Sequence, residues 1–286
     1  MKVYLAAFET QFRSYQVKVD PTQNLFLTYW YLPQTEEALR YLKPNGHRGL
    51  LTIDSGAHSF FELMGISVTA KAQAAKEVPD PHKYFSDYLA WAKEYAPLFD
   101  FFCELDLQEL VGQEVVDEWR ARVNEAGLGH KLITVWHSAN SWADYERLLD
   151  TTKSRYIALE GIRPGQPMIA YNRFLKEAYK RQIRVHGFAF TRTELLRQFP
   201  FWSVDSSSWT ASIRYGKLHF WDGKTLRVID PKLAHFAKYN IPVALHSSMR
   251  SKDASKAKLE FSAVQFQKMQ TFFTRYWEGR GIRWQD

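Results

Sequence analysis

The stretch KLITVWHSANSWADYERLLDTTKSRYIALEG, residues 131–161, contains one complete repeat of the fold. It begins with the apolar run 131–137 and continues through a polar turn with Ser and Asn residues that can cap a helix. An amphipathic segment follows, and a second apolar run occupies 155–161. Dense apolar runs without alternation are typical of parallel strands that are buried on both faces. The stretch therefore predicts a strand–helix–strand unit.

The same unit recurs along the chain. Further apolar runs occupy 1–7, 50–54, 99–107, 184–190 and 201–205, and 241–246 is the candidate for an eighth. Most runs are separated by the 20 to 50 residues that a parallel crossover requires. Up to eight such units predict an α/β fold, a (β/α)8 barrel of the TIM type. An open doubly wound sheet is the alternative, although no GxGxxG turn indicates a dinucleotide site.

Two segments depart from the repeat. Residues 213–230 are typical of a β-hairpin with Asp222 and Gly223 at its turn, inserted outside the barrel. The chain then ends in an aromatic-rich helix, so 231–286 is predicted to be a basic C-terminal helical region. Because no Pro-, Gly- or Ser-rich linker divides the chain, we interpret 1–286 as a single domain.

Composition excludes several classes of protein. With 45% hydrophobic and 24% charged residues, the chain is expected to form a packed core. No apolar run is long enough to span a membrane, and the first residues do not resemble a signal peptide, so we expect a cytoplasmic protein. Cys103 is the only cysteine, which excludes an intramolecular disulfide and a zinc site built on several thiolates. No metal and no cofactor are predicted.

The net charge of +7 is unevenly distributed. Residues 232–286 contain ten Lys and Arg against four Asp and Glu, a net +6, whereas the preceding residues have 28 against 27. Two interpretations remain open at this point. The C-terminal region binds a polyanion, with nucleic acid as the first choice, or it is a solvated Lys-rich surface.

Titratable side chains follow five of the predicted strands, where barrel enzymes hold their catalytic groups. They are Asp54, Asp106, His137, Glu160 and Asp205. An acidic residue after a strand can instead cap the next helix. Likewise, Glu160 can pair with Arg163, and His137 can be a structural polar residue.

Three of these contexts are more specific. Small residues follow Asp54 in the stretch 54–57 and allow a planar ligand to approach the backbone. Hydroxyls and one indole surround Asp205 in VDSSSWT, 204–210, and a His–Gly pair lies in VHGFAFT, 185–191. These patterns predict a pocket with two carboxylates and aromatic walls. Two carboxylates suit chemistry at a glycosidic carbon, where one attacks the sugar and the other transfers protons.

These motifs resemble those of the tRNA-guanine transglycosylases. LLTIDSGAHSFFE is similar to the family's TDSGGFQ motif, with Asp54 at its base-handling Asp. VHGFAFTRTELLRQFPFWSVDSSSW resembles MGVGTPEDLLEAVALGIDMFD, and the matching positions are Gly187, Thr191, Glu194, Leu195, Leu196 and Asp205. CELD at 103–106 lies where the family has FDE, TVWHS replaces its VQGG, and ALEG resembles part of GGLAVGE. The resemblance covers 50–210 in the right order.

The chain also departs from the tRNA enzymes. It lacks their zinc site of three Cys and one His, it lacks the Gln of VQGG, and it is shorter. In these respects it resembles the phage-type relatives that exchange guanine in DNA for a 7-deazaguanine, the DpdA group. We therefore favour DNA over tRNA as the substrate.

The resemblance implies a base exchange in which Asp205 attacks C1′ and Asp54 transfers protons to and from the bases. The target guanine must be flipped out of a duplex or already single-stranded. Implied contacts to the guanine or 7-deazaguanine base are Asp106, Ser55, Gly56, Trp136, His137, Glu160, Gly161, His186, Gly187 and Trp209. Predicted nucleic-acid contacts are Arg250, Lys252, Lys256 and Lys258, with Arg163, Arg192 and Arg214 as an alternative footprint.

Three other functions remain open. They are a tRNA-guanine transglycosylase, an N-glycoside hydrolase that releases the base without replacing it, and a non-catalytic nucleic-acid-binding barrel. The last predicts that the basic residues matter and that the carboxylates do not.

Overall fold

Eight parallel strands close on themselves in the computed structural model of the chain. The structure describes residues 1–64, 78–137, 140–160, 169–229, 238–239, 241–242, 245 and 251–285. The strands are β1 Lys2–Ala6, β2 Asn24–Thr28, β3 Leu51–Asp54, β4 Phe101–Cys103, β5 Leu132–Trp136, β6 Tyr156–Leu159, β7 Arg184–Gly187 and β8 Ser203–Ser206. Each strand pairs with the next, and β8 pairs with β1. The predicted (β/α)8 barrel is confirmed.

Helices connect successive strands. They are α1 Phe8–Tyr15, α2 Leu32–Leu42, α3 Ala57–Leu63, α4 Pro81–Tyr95, α5 Gln108–Val111, α6 Gln113–Glu125, α7 Trp142–Thr151, α8 Ile169–Lys180, α9 Thr193–Leu196, α10 Ala211–Arg214 and α11 Lys252–Glu278. Some of these helices begin at a residue whose side chain caps the helix. Asp80 accepts from the Lys83 N–H at the start of α4, and Ser141 and Asp144 form a capping box at the start of α7.

The prediction of an eighth strand at 241–246 is wrong. The missing strand is β2, whose Tyr4–Asn24 and Thr28–Asp54 register pairs place it between β1 and β3. Of the stretch 241–246, the described residues 241, 242 and 245 are not in a strand. Ile241 and Leu245 are instead buried beside the hairpin.

The predicted hairpin is confirmed, but it begins later than expected. Strands β9 Leu218–Trp221 and β10 Leu226–Ile229 pair antiparallel, and the Asp222 carboxylate accepts from backbone N–H groups of the turn. Residues 211–214, which include the predicted first two positions, form α10. The hairpin is a two-stranded sheet separate from the barrel.

The C-terminal region contains α11, which packs against both the barrel and the hairpin. Gln270 of α11 accepts from the Val3 N–H at 2.6 Å, and Gln265 accepts from the Trp221 N–H at 3.2 Å. The apolar side of α11 is buried through Leu259, Phe266 and Met269. Every helix among the described residues is too short or too polar to cross a membrane.

Two layers of side chains form the core. The inner layer fills the barrel and consists of Tyr4, Phe26, Cys103, Ile133, Val135, Tyr156, Ala158 and Trp202. A larger layer lies between the strands and the surrounding helices. Because successive strand residues point to opposite faces, each position is directed either into the barrel or toward the helices.

Candidate functional site

Acidic side chains meet at the carboxyl ends of the strands. Asp54 is the last residue of β3, Asp205 lies in β8, and Asp106 and Glu160 follow β4 and β6. The negative charges of Asp106 and Asp205 both act on Asp54, which places the three carboxylates in one electrostatic environment. The structure therefore brings together the acidic residues that the sequence predicted at separate strand ends.

Asp54 is held so that it can exchange a proton near neutral pH. Its Oδ2 accepts from the Thr28 hydroxyl at 3.0 Å and from the Gly56 N–H at 3.3 Å. The pKa of Asp54 is raised to about 7: burial is the largest cause, the charges of Asp106 and Asp205 add to it, and the two hydrogen bonds oppose it. Gly56 has φ +87°, and a Cβ there would lie 2.8 Å from the Tyr84 hydroxyl, so the turn needs glycine.

The two carboxylate oxygens of Asp205 differ in their contacts. Its Oδ1 accepts from the Ala189 N–H at 2.8 Å and lies 3.2 Å from His186 Nε2. Among the described residues, none donates to Oδ2. The side chain keeps 12% of its surface exposed, so a ligand can reach it.

His137 lies between two carboxylates. Its Nε2 is 3.2 Å from Asp106 Oδ2, and its Nδ1 is 3.2 Å from Glu160 Oε2. Burial lowers the pKa of His137, but the close Asp106 carboxylate and the hydrogen-bonded Glu160 carboxylate outweigh it and raise the pKa to about 9. His137 is thus a cation at neutral pH. One oxygen of Asp106 faces this cation, so a ligand can use only the lone pairs of Asp106 that do not interact with the imidazolium.

Glu9 is a functional candidate that the sequence did not reveal. It lies in the first turn of α1 and is fully buried, and its Oε2 has no hydrogen-bond partner among the described residues. Burial raises the pKa of Glu9 to about 8, with a further contribution from the charge of Asp54. In FETQFRSY a glutamate is typical of an exposed helix position, so no sequence signal could have identified it.

Several predicted base contacts have structural roles instead. Ser55 is buried, its Oγ accepts from the Ala57 N–H at 3.4 Å, and its carbonyl accepts from the Tyr84 hydroxyl. A Cβ at Gly187 would lie 3.0 Å from the Phe201 ring, so this glycine is needed for packing. His186 is completely buried inside the barrel. These placements favour structural roles for Ser55, Gly187 and His186 over direct contact with a base.

The two tryptophans predicted as aromatic walls do not face the carboxylates. Trp209 is fully buried, donates from Nε1 to the Ala6 carbonyl at 2.7 Å and stacks on Phe8. Trp136 points away from the barrel interior and packs on Phe174, with 4.3 Å between ring centroids. Trp136 also lines a cavity of about 270 Å³ together with residues of α6 and α7. Neither indole can stack on a base bound at the carboxylates.

The basic residues divide between the two ends of the barrel. Lys258 is buried, which contradicts its predicted contact with phosphate. Lys256 pairs with Glu260, which also accepts from the Lys18 N–H in the loop before β2, at the amino-terminal end of the barrel. Lys252 is exposed at the start of α11.

Two predicted arginines are better placed. Arg192 and Arg214 are exposed in segments that follow β7 and β8, on the side of the carboxylates. Gly161, Arg163 and Arg250 lie outside the described residues.

The remaining observations concern metals and relatives. Within the described ranges, no group of three or more His, Cys, Asp or Glu side chains is arranged to hold a metal ion. No model of a known protein family, no curated protein and no solved structure matches this chain.

Proposed function

We propose that the chain is a base-exchange transglycosylase that replaces guanine in DNA with a 7-deazaguanine derivative. The observation that carries the proposal is the contrast between two carboxylates at one end of the barrel. Among the described residues no donor binds Oδ2 of Asp205, whereas the pKa of Asp54 is raised to about 7. Such a pair provides a nucleophile and a proton carrier.

The first half-reaction would proceed through a covalent intermediate. Asp205 attacks C1′ of the deoxyguanosine, the bond from C1′ to N9 breaks, and its electron pair leaves with the guanine. Asp54 donates its proton to the departing base. A glycosyl ester on Asp205 and an ionised Asp54 remain.

The second half-reaction reverses these steps with another base. Asp54 removes a proton from the incoming 7-deazaguanine, whose nitrogen attacks C1′. The ester bond breaks and Asp205 is released as a carboxylate. Because the exchange breaks one N-glycosidic bond and forms another of the same kind, no external energy source is required.

Recognition of the base is assigned to the cluster around His137. The N1–H and amino group of guanine are adjacent donors, and a carboxylate matches such a pair. Asp106 supplies that carboxylate, and its ion pair with His137 at 3.2 Å fixes its orientation. Glu160 holds the other side of the imidazolium.

DNA contacts are assigned to the carboxyl end of the barrel. A duplex buries C1′, so the nucleotide must be flipped or single-stranded to reach Asp205. The exposed Arg192 and Arg214 would neutralise the flanking phosphates. The choice of DNA over tRNA rests on the absence of cysteines after Asp205.

The decisive experiment incubates the protein with DNA and radiolabelled guanine. We expect incorporation by the wild type and none by Asp205→Asn, whereas Asp54→Asn binds DNA but does not turn over. Asp87→Asn is the matched control, because Asp87 is an exposed aspartate paired with Lys83 on α4.

Each alternative function gives a different result. Release of base without incorporation indicates a hydrolase. Incorporation into tRNA but not into DNA indicates the tRNA activity. DNA binding that is unaffected by the Asp205 and Asp54 variants, without any turnover, indicates a binding protein and contradicts the proposal.

A further inference from the structure

A column of polar side chains runs through the barrel interior to Asp205. The Tyr156 hydroxyl lies 2.7 Å from Ser203 Oγ, and Ser203 Oγ lies 2.8 Å from His186 Nδ1. On its other side, His186 Nε2 lies 3.2 Å from Asp205 Oδ1. Tyr156, Ser203 and His186 are all completely buried. The column therefore connects the inner core to the carboxylate that the proposed reaction uses.

Aromatic rings fix the orientation of the imidazole. Phe26 stacks on His186 with 5.4 Å between centroids and an angle of 11° between the planes. Phe188 and Tyr4 contact it edge to face, at 5.0 Å and 5.8 Å. With rings on both sides, the imidazole cannot rotate without displacing core residues. Its Nδ1 therefore faces the hydroxyls of Ser203, at 2.8 Å, and Tyr156, at 3.4 Å, and its Nε2 faces Asp205.

The donor on Asp205 follows from the chemistry of the groups. An ionised carboxylate only accepts hydrogen bonds, so Nε2 of His186 must carry a hydrogen. At Nδ1 the neighbour is a hydroxyl, which can donate to an unprotonated ring nitrogen. The hydrogen bond at Nδ1 therefore fixes the tautomer in which Nε2 carries the hydrogen. In other oriented imidazoles, too, the partner of one ring nitrogen decides the protonation of the other.

A second donor binds the same carboxylate oxygen. The Ala189 N–H donates to Oδ1 at 2.8 Å, and Ala189 has φ +53°, a conformation that residues other than glycine rarely adopt. Strained backbone persists where the surrounding structure over-determines it, and it is concentrated at functional sites. Two independent features therefore hold Oδ1, and neither holds Oδ2.

We infer that His186 is a positioning residue that, with the Ala189 N–H, anchors Asp205 through Oδ1 and leaves Oδ2 as the atom that attacks C1′. This inference rests on the proposed function, because it assigns an atom of the nucleophile. His186 does not contact the substrate, since it is fully buried. Its effect is to hold the attacking oxygen in one orientation before the nucleotide arrives.

The test compares His186→Leu with His186→Gln, whose amide can replace the Nε2 donor. The rate of covalent protein–DNA adduct formation is measured in a single turnover without added base, together with DNA affinity. We expect His186→Leu to slow adduct formation about 10- to 100-fold, the effect of losing a hydrogen bond to a charged group. DNA affinity stays unchanged, and His186→Gln recovers most of the rate.

Two further measurements separate positioning from folding. His219→Leu is the matched control, because His219 is also buried but lies in the hairpin, and its adduct rate is expected to match the wild type. The ¹⁵N spectrum of histidine-labelled protein reports whether Nε2 of His186 carries hydrogen. We expect that it does, and that its resonance shifts in Asp205→Asn.

The outcomes are distinguishable. Adducts that form in the wild type and equally fast in His186→Leu overturn the positioning role and leave the proposed function intact. An Nε2 without hydrogen overturns it as well, whatever the activity. A wild-type protein that forms no adduct and exchanges no base overturns the proposed function and, with it, the assignment of an attacking atom.

Discussion

Replacing Glu9 with glutamine should change how the stability of the protein depends on pH. The carboxyl group of Glu9 is fully buried, and its pKa is raised from 4.5 to about 8, chiefly by burial. Between these values the folded protein holds a proton that the unfolded chain has lost. The free energy of unfolding therefore falls as the pH rises from about 4.5 to 8.

The size of the effect follows from the shift. Each pKa unit corresponds to about 1.4 kcal/mol, so Glu9 alone should reduce the free energy of unfolding by roughly 4 kcal/mol between pH 5 and 9. Glutamine has nearly the same shape and does not titrate. Any packing defect that glutamine introduces is the same at every pH. Such a defect shifts the whole curve of unfolding free energy against pH by a constant amount and does not change its slope.

Urea unfolding at several pH values measures the difference directly. We expect Glu9→Gln to gain stability relative to the wild type as the pH rises, by roughly 4 kcal/mol over that range. Glu37→Gln is the control, because Glu37 is an exposed glutamate on α2 near Arg13, and its difference from the wild type should stay flat. Parallel curves for Glu9→Gln and the wild type would refute the reasoning and place an ionised Glu9 in the folded state.

Three further predictions follow from the site. Asp205→Asn should fold normally, and its rate of base exchange should be several orders of magnitude below that of the wild type. A variant that keeps more than about a tenth of the wild-type rate would show that Asp205 is not the nucleophile. The pKa of His137 is raised to about 9, so the stability that His137 contributes is present below pH 6.5 and is lost as the pH rises through 9. Urea unfolding at several pH values should therefore show this loss of stability in the wild type but not in His137→Gln. Arg192→Ser and Arg214→Ser should each reduce the slope of log DNA affinity against log salt concentration by about 0.7–0.9, whereas Lys256→Ser should leave this slope unchanged. Equal slopes in all variants would exclude Arg192 and Arg214 as phosphate contacts.

The repeating pattern of the sequence was sufficient to predict the barrel, but not its second strand. NLFLT at 24–28 is only five residues long and follows a polar stretch at 16–23. The average hydrophobicity of a longer window that includes both is therefore low. The more apolar IPVALH was the stronger candidate by composition. What selects β2 is its pairing with β1 and β3, which no local pattern encodes.

Strand ends were more predictable than side-chain directions. Asp54 and Asp205 lie where the sequence placed them, because the end of an apolar run marks the end of a buried strand. Trp136 and Trp209 were expected in the pocket, yet both indoles pack within the core. Composition identifies a tryptophan near a site, but only the pairing register decides which face its ring covers.

The register of β7 against β8 accounts for the arrangement around Asp205. His186 is paired with Ser203, and because alternate residues share a face, Ser203 and Asp205 both point into the barrel. On the other side of β7, His186 is paired with Ala158, whose small side chain leaves room for the imidazole. A shift of one residue in β8 would turn Ser203 and Asp205 toward the helices and put Val204 in their place. The positions of the Asp205 carboxylate and the His186 imidazole are therefore fixed together by one pairing, so a substitution that disturbs that pairing should displace both at once.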